Sequence, residues 1–573
     1  MPTVSELISG NISNAMTNMK TWGSLVFNAI DYKATGDGTT DDSGKINDAV
    51  TAASTNGGTV VFPPGTYRIA SDLTVPSNVT LWFMNGAMLS ADSGVTVTIS
   101  GPIEAGLHQI FSGSGTVVIA KIKEVFAEWW GAKGDGIADD RTALNSAVSS
   151  LSNGGDIKFV GTYKISSNLT FPENVKLNFA ESARFSVDSG VTLTINSAIE
   201  AGLYQIFDGG GTIAGKPRIE YVFPQWFGAK GDGASDDASP IQKALNFFSR
   251  IMFRSATYKI GTTITIPSNC YIYGNGATFY TKNAIPRMWY IPSTSQDVHI
   301  EKINCNGDAP DFTAFQVEGH RVWFDECTTF NVNIGIVSRG SRHYINKCDL
   351  RANVGILIET SAEVKSISDC VIAVSNIGIR ITGGAGIRIS NCDIMGGNHN
   401  LLVDPNSGVV ASVVCENVFF DQGAQGCVRM VPTGTGVIVR CKFSNCWMSG
   451  SSGSRGVALG VNVKGIQFDS CDIYGNAADG IFIAGQGIIV SNCQIAGNGG
   501  SGVSVGGGTT DFVITGNIIG PTGDFGANVW GVFINSGASD RYVITGNMLK
   551  GNTAGAISDG GTGTNKVVAN NVT

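Results

Sequence analysis

The side chains best suited to bond-breaking chemistry follow a set of evenly spaced cysteines. Cys305, Cys327, Cys348, Cys370, Cys392 and Cys415 are separated by 22, 21, 22, 22 and 23 residues, and Cys471 and Cys493 resume the interval of 22. The next residues along this series are Asp349, Val371, Asp393, Glu416, then Lys442 or Trp447, Asp472 and Gln494. Two carboxylates cleave a glycosidic bond when they stand about 5–5.5 Å apart for retention, or about 6.5–9.5 Å apart for inversion. With each cysteine marking one coil of a stacked parallel sheet, Asp393 and Glu416 are about 4.8 Å apart and Asp349 and Asp393 about 9.6 Å. These three are the candidate catalytic residues, and both geometries are open.

Around them, Arg351 and Arg388 can bind acidic sugars or lower the pKa of a carboxylate, and Trp447 and Tyr474 can stack on pyranose faces. Asp421 is a further carboxylate, and these five are the candidate substrate-binding residues. Asp325 and Glu326, next to Trp323, form the next set. Against this reading, an outward Asp beside a turn is ordinary on any solenoid. A lyase would abstract a proton with Lys365, Arg380 or Arg388, and ranks below a hydrolase because no clustered aspartates offer a calcium site. The stretch GVSVG (502–506) matches a nucleophile elbow by chance, lacking the strand-turn-helix setting, and no phosphate-binding loop is present.

The elements that must hold these residues follow from the cadence. One thiol per repeat reads as a small buried hydrophobe rather than a disulfide or a metal ligand, because the chain has no CxxC and its five histidines are scattered. No metal and no cofactor is expected. The repeat 376–398, NIGIRITGGAGIRISNCDIMGGN, splits into three short alternating strands. Ile379, Ile381, Ile387, Ile389, Cys392 and Ile394 face one way and Arg380, Arg388 and Asp393 the other. Later lines, TGNIIG (515–520) and TGNMLKG (545–551), place Asn517 and Asn547 at the cysteine position, where amides can hydrogen-bond along a ladder. A repeat this short buries its apolar row only by stacking, which predicts an all-β, right-handed parallel β-helix of about 22 residues per coil.

Ahead of the solenoid a different unit occurs three times: TGDGTTDD (35–42), GAKGDGIADD (131–140) and GAKGDGASDD (228–237). Each continues into a helix-like stretch and a strand ending in GTYRI (65–69), GTYKI (161–165) or ATYKI (256–260). The first two also share the tails GPIEAGLHQIF (101–111) and SAIEAGLYQIF (197–207). Asp42, Asp140 and Asp237 are expected at helix N-caps, with each helix covering an open β-helix end. The organisation reads as an N-terminal arm (1–23), two repeated small α/β capping units (24–123 and 124–220), a third capping the solenoid (221–280), and the β-helix (281–573).

Bulk properties narrow the partners. The chain has a net charge of −8, 76 glycines and 15% charged residues. No Lys/Arg run offers a footprint for nucleic acid or an anionic membrane, so neither is an expected partner. The start lacks a basic and apolar leader, no segment has the length for a membrane span, and the coil pattern runs to NVT (571–573). These features read as a soluble protein with no secretion signal and no separate C-terminal domain.

Taken together, GAKGDGxxDD, the short helix, the GTYxI strand and the Gly/Asn-punctuated coils resemble the pectate-lyase-like superfamily domain of bacteriophage tailspikes and secreted pectinolytic enzymes. The motifs cover residues 24–280, and the coil pattern covers the rest. The missing leader favours the phage form. The resemblance implies a homotrimeric virion protein, attached to phage tail or baseplate proteins and acting extracellularly at the host surface. It implies a depolymerase of bacterial surface polysaccharide: capsule, O-antigen or exopolysaccharide. Its competitors are a non-catalytic receptor-binding fibre and a bacterial polysaccharide lyase or epimerase.

Overall fold

The computed structural model describes residues 25–121, 124–281, 285–307, 312–359 and 363–573; the expected N-terminal arm lies outside them. They form two compact units, one ending at Gly228 and one beginning at Ala229.

The second unit is the expected parallel β-helix. Its strands pair only in parallel, each with a strand of the next coil, and build three walls. Wall 1 includes Gly384–Ser390, Val409–Glu416 and Val437–Ser444. Wall 2 includes Asp393–Gly396, Phe419–Asp421, Trp447–Ser449 and Asp472–Tyr474. Wall 3 includes His399–Val403, Val428–Met430 and Val457–Leu459. Inward residues alternate with outward ones, so that Ile379, Ile381, Ile387, Ile389 and Ile394 are fully buried.

One residue turns wall 1 into wall 2 in each coil. Lys347, Asp369, Asn391, Asn417, Asn445, Ser470 and Asn492 all adopt the left-handed conformation there, with φ between 51° and 56°. Asparagine and aspartate tolerate this region best among residues with a side chain. The following residue points inward and forms the ladder Cys348, Cys370, Cys392, Val418, Cys446, Cys471, Cys493 and Asn517. All twelve cysteines are free and buried. Burial pushes the Cys270 and Cys427 thiols up to about 12, so they pack as inert hydrophobes.

The ladder corrects the sequence count at two places. Cys305 lies level with Thr329, and Ile303 takes the ladder position before Cys327. Cys415 is not on the ladder either: it lies in wall 1 between Ile389 and Phe443, and Val418 follows Cys392. Beyond Cys493 the ladder turns polar, as expected. The Asn517 Nδ2 group donates to Asn547 Oδ1 at 2.9 Å, and Asn547 Nδ2 to Asn571 Oδ1 at 2.9 Å. A second amide run, Asn476 to Asn498 to Asn528, has the same 2.9 Å bonds.

In the first unit, each repeat is itself a short three-walled stack with one helix. In the first repeat the wall strands Gly58–Phe62 and Val79–Phe83 pair in parallel, as do Gly65–Ile69 and Ala87–Ala91. Helix α1 (Ser43–Ser54) buries Ile46, Ala49, Val50 and Ala53, an apolar stripe at helical spacing. Helix α2 (Arg141–Ser150) buries Ala143, Leu144 and Ala147 likewise, and in the second unit α3 (Ala238–Phe247) buries Ile241, Ala244 and Leu245.

The expected N-cap aspartates precede these helices, but their carboxylates do not cap them. Each reaches back to close the GDG loop instead: Asp42 accepts from the Thr35 and Gly36 amides, Asp140 from Lys133 and Gly134, and Asp237 from Lys230 and Gly231. The shared tails join one turn to the next. Ile110 N donates to Trp129 O and Trp129 Nε1 to Gly106 O, and Ile206 and Trp226 repeat the pattern with Gly202.

Candidate active site

Wall 2 carries the carboxylates, and its register decides which of them are neighbours. The outward row after the ladder reads Asp349, Val371, Asp393, Phe419, Trp447, Asp472 and Gln494. A second outward row, two residues further on, reads Arg351, Ala373, Met395, Asp421, Ser449 and Tyr474. Asp349 and Asp393 are therefore two coils apart, about 9.6 Å by strand spacing.

Glu416 is not in either row. It ends a wall 1 strand, level with Ser390 and Ser444, so the expected Asp393–Glu416 neighbour pair does not exist. The reason is coil length: 26 residues separate Cys392 from Val418, which shifts Cys415 and Glu416 back before the corner. The carboxylate that shares the wall with Asp393 is Asp421. Asp393 pairs with Phe419 and Met395 with Asp421, which sets the two aspartates diagonally across adjacent coils, their backbone positions roughly 8 Å apart.

Asp393, Met395, Phe419, Asp421, Trp447 and Ser449 line an open pocket of about 400 Å³. Met395 also lines a neighbouring pocket of about 700 Å³ that includes Phe330, Asn331, Arg351, Asn353 and Ser375. Asp421 is fixed by a relay: Trp447 Nε1 donates to Ser449 Oγ at 2.6 Å, and Ser449 Oγ donates to Asp421 Oδ1 at 2.7 Å. Phe419, 50% exposed, lies 5.7 Å from the Trp447 ring and supplies an apolar side to the pocket.

Other expected site residues fall into different places. Arg351 forms a bidentate bond with Asp349 at 3.1 and 3.0 Å, so this cation and this carboxylate satisfy each other. Tyr474 is buried: Phe525 stacks on it at 4.0 Å and Trp447 meets its edge at 4.5 Å, which makes it a support for Trp447 rather than an open stacking surface. The loop that brings Phe525 over it has no periodic signal. Burial raises the Asp472 carboxyl above its usual range, beside Trp447 in the row. Arg388 faces outward from wall 1, Arg380 is paired with Asp404 on wall 3, and Lys365 points inward with Nζ donating to Gly340 O. The three cations that would serve a lyase are thus not brought together.

Phe419 is the pocket residue that cysteine counting passes over. The corner asparagine reveals it, because ENV (416–418) repeats the SNC pattern of 390–392 and 444–446. Among the described residues no group of three or more His, Cys, Asp or Glu is placed to hold a metal ion, and no helix is long and apolar enough to cross a membrane.

Two family models match the chain: rhamnogalacturonase A/epimerase, pectate lyase-like, over residues 26–85, and right handed beta helix region over residues 416–572. No curated protein sequence matches it. Among solved structures, tailspike protein 3 of bacteriophage CBA120 is 14% identical with a TM-score of 0.44; the match covers 61% of this chain and 59% of the tailspike. The A-module of the Azotobacter vinelandii mannuronan C-5 epimerase AlgE4 is 14% identical with a TM-score of 0.29, over 78% of this chain and 99% of the module. PfbA, a surface adhesin of Streptococcus pneumoniae, is 13% identical with a TM-score of 0.31, over 59% of this chain and 92% of the adhesin. The chain is a right-handed parallel β-helix protein whose residues 26–85 match a pectate lyase-like family model.

Proposed function

We propose that the protein is a polysaccharide depolymerase that hydrolyses glycosidic bonds on wall 2 with inversion, using Asp393 and Asp421. The observation that carries this reading is their placement on adjacent coils in the lining of one pocket, where an inverting pair needs carboxyl groups about 6.5–9.5 Å apart. Asp421, held by the Ser449 hydroxyl, is the base that activates the water. Asp393, exposed on the opposite corner, protonates the departing oxygen. Trp447 and Phe419 present ring surface to the apolar face of a sugar.

Electrostatics favour a neutral sugar at the bond cleaved on wall 2. Arg351 is the one cation lining either pocket among the described residues, and Asp349 already neutralises it, whereas Asp393 and Asp421 are both acidic. A polyuronate would meet a negative wall.

The setting we infer is a phage tail, with the protein as a homotrimer held by tail or baseplate proteins and acting at the host surface on capsule, O-antigen or exopolysaccharide. Ile518, Met548 and Val572, exposed by 39, 50 and 59%, continue the wall 2 row as an apolar strip in the last coils and support burial against another subunit. The test is incubation with a panel of capsular and O-antigen polysaccharides, reading both new reducing ends and the absorbance of unsaturated uronate. New reducing ends alone support hydrolysis. Unsaturated product, or no cleavage of any polymer that binds, overturns it.

A further inference from the structure

Wall 1 carries a second feature that the proposed hydrolysis does not use. Its outward row stacks Tyr271, His299, Trp323 and Tyr344 on four consecutive coils. The rings are face to face, with Tyr271–His299 at 5.9 Å, His299–Trp323 at 4.1 Å and Trp323–Tyr344 at 5.4 Å, and interplanar angles of 26°, 3° and 12°. The stack then stops. Ser366 follows Tyr344, and Arg388 follows Ser366.

The interruption has the dimensions of a ring. Tyr344 and Arg388 are two coils apart, about 9.6 Å. A ring held between two faces at carbon contacts of about 3.5–4.0 Å fills roughly 7–8 Å of that, which the flexible arginine can close. Ser366 makes the floor. The parallel row beside it is neutral, Asn346, Ser368 and Ser390, with Ser368 Oγ donating to Asn346 Oδ1 at 3.1 Å and Asn346 Nδ2 to Asp325 Oδ1 at 2.9 Å. Asp325 and Glu416 are the carboxylates at the two ends of that row. Arg342 stands exposed at the corner leading into the Tyr344 strand. One open aromatic face, a small polar floor and two arginines at the rim match a pyranose that carries an acid group.

We propose that the gap over Ser366 binds the ring of a uronic acid, with its apolar face on Tyr344 and its carboxylate on Arg388. The site is separate from the wall 2 pocket and does not depend on cleavage there. It is tested by calorimetric titration of the full chain with a galacturonic acid tetramer, against maltotetraose as the neutral probe of equal length. The tetramer should bind at least tenfold more tightly than maltotetraose, and Arg388→Gln and Tyr344→Ala should each weaken it by tenfold or more. Ser366→Tyr extends the ring stack into the gap, so it should abolish binding without lowering the thermal midpoint. Binding that is absent, that is unchanged in Arg388→Gln, or that is lost in Asp393→Asn instead, overturns the assignment. Because the readout is binding, its failure is distinct from failure of the hydrolysis on wall 2.

Discussion

Asp393 and Asp421 occupy adjacent coils of one wall but different outward rows, because Asp421 is level with Met395 and Asp393 with Phe419. That diagonal, rather than direct stacking, sets their backbone positions roughly 8 Å apart, and the proposed inverting hydrolysis rests on it.

Each partner should therefore be needed separately. Asp393→Asn and Asp421→Asn should lower kcat by about 10²–10⁴, the usual contribution of a positioned acid or base. Glu416→Gln, on the neighbouring wall, should leave turnover at the wild-type level. Steady-state kinetics on a cleaved polysaccharide check all three.

Trp447 should act through binding. Trp447→Phe removes the Nε1 donor to Ser449 but keeps a stacking face, whereas Trp447→Ala removes both. The alanine variant should lose about 0.5–1.5 kcal/mol of sugar stacking, a rise in KM of roughly 2- to 13-fold. The phenylalanine variant should keep KM and lower kcat, because Asp421 loses the anchored Ser449. Measuring KM and kcat for both variants separates the roles.

The core contains a titration that should be visible in stability. Burial lowers the Lys365 pKa from 10.5 to about 8 and the His343 pKa from 6.5 to about 4. In each case the unfolded chain holds a proton that the folded chain releases between the two values, so stability rises with pH across the window. For Lys365 the rise runs from about pH 8 to 10.5, and the penalty of on the order of 3 kcal/mol is fully present below pH 8. For His343 stability falls as pH drops from 6.5 to 4. Lys365→Met should be more stable than wild type at pH 7 and lose the alkaline rise. Urea midpoints from pH 4 to 10.5 check this.

The two halves of the ladder should respond differently to substitution. Cys392→Val replaces a buried thiol with an apolar side chain of similar volume and should cost less than about 1.5 kcal/mol. Asn498→Ala removes the acceptor of the Asn476 amide and the donor to Asn528 Oδ1 and the Ile473 carbonyl, and a buried group left unsatisfied costs about 1–3 kcal/mol. Its cost should be several times larger, as read from thermal midpoints.

The coil architecture was legible because its cause is local. A buried residue must follow a left-handed corner once per turn, and Cys, Asn and the Asn or Asp before them announce both positions. Asp349 and Asp393 were placed in one row for that reason. Glu416 falls outside that row because one coil is longer and its ladder position is Val418, three residues beyond Cys415. The Asn417 corner carried the correct register. Tyr474 looked open because its cover, Phe525, comes from a loop whose path depends on tertiary contacts. The wall 1 ring stack was equally hidden, since Tyr271, His299, Trp323 and Tyr344 share no motif and meet only through coil register.

The most direct test of the central claim is the anomeric configuration of the first product, followed by proton NMR from the start of cleavage, before mutarotation. Hydrolysis by Asp393 and Asp421 should give the configuration opposite to that of the bond cut, and Asp421→Asn should abolish it. Retained configuration, an unsaturated sugar end, or cleavage that persists in both Asp393→Asn and Asp421→Asn would contradict it.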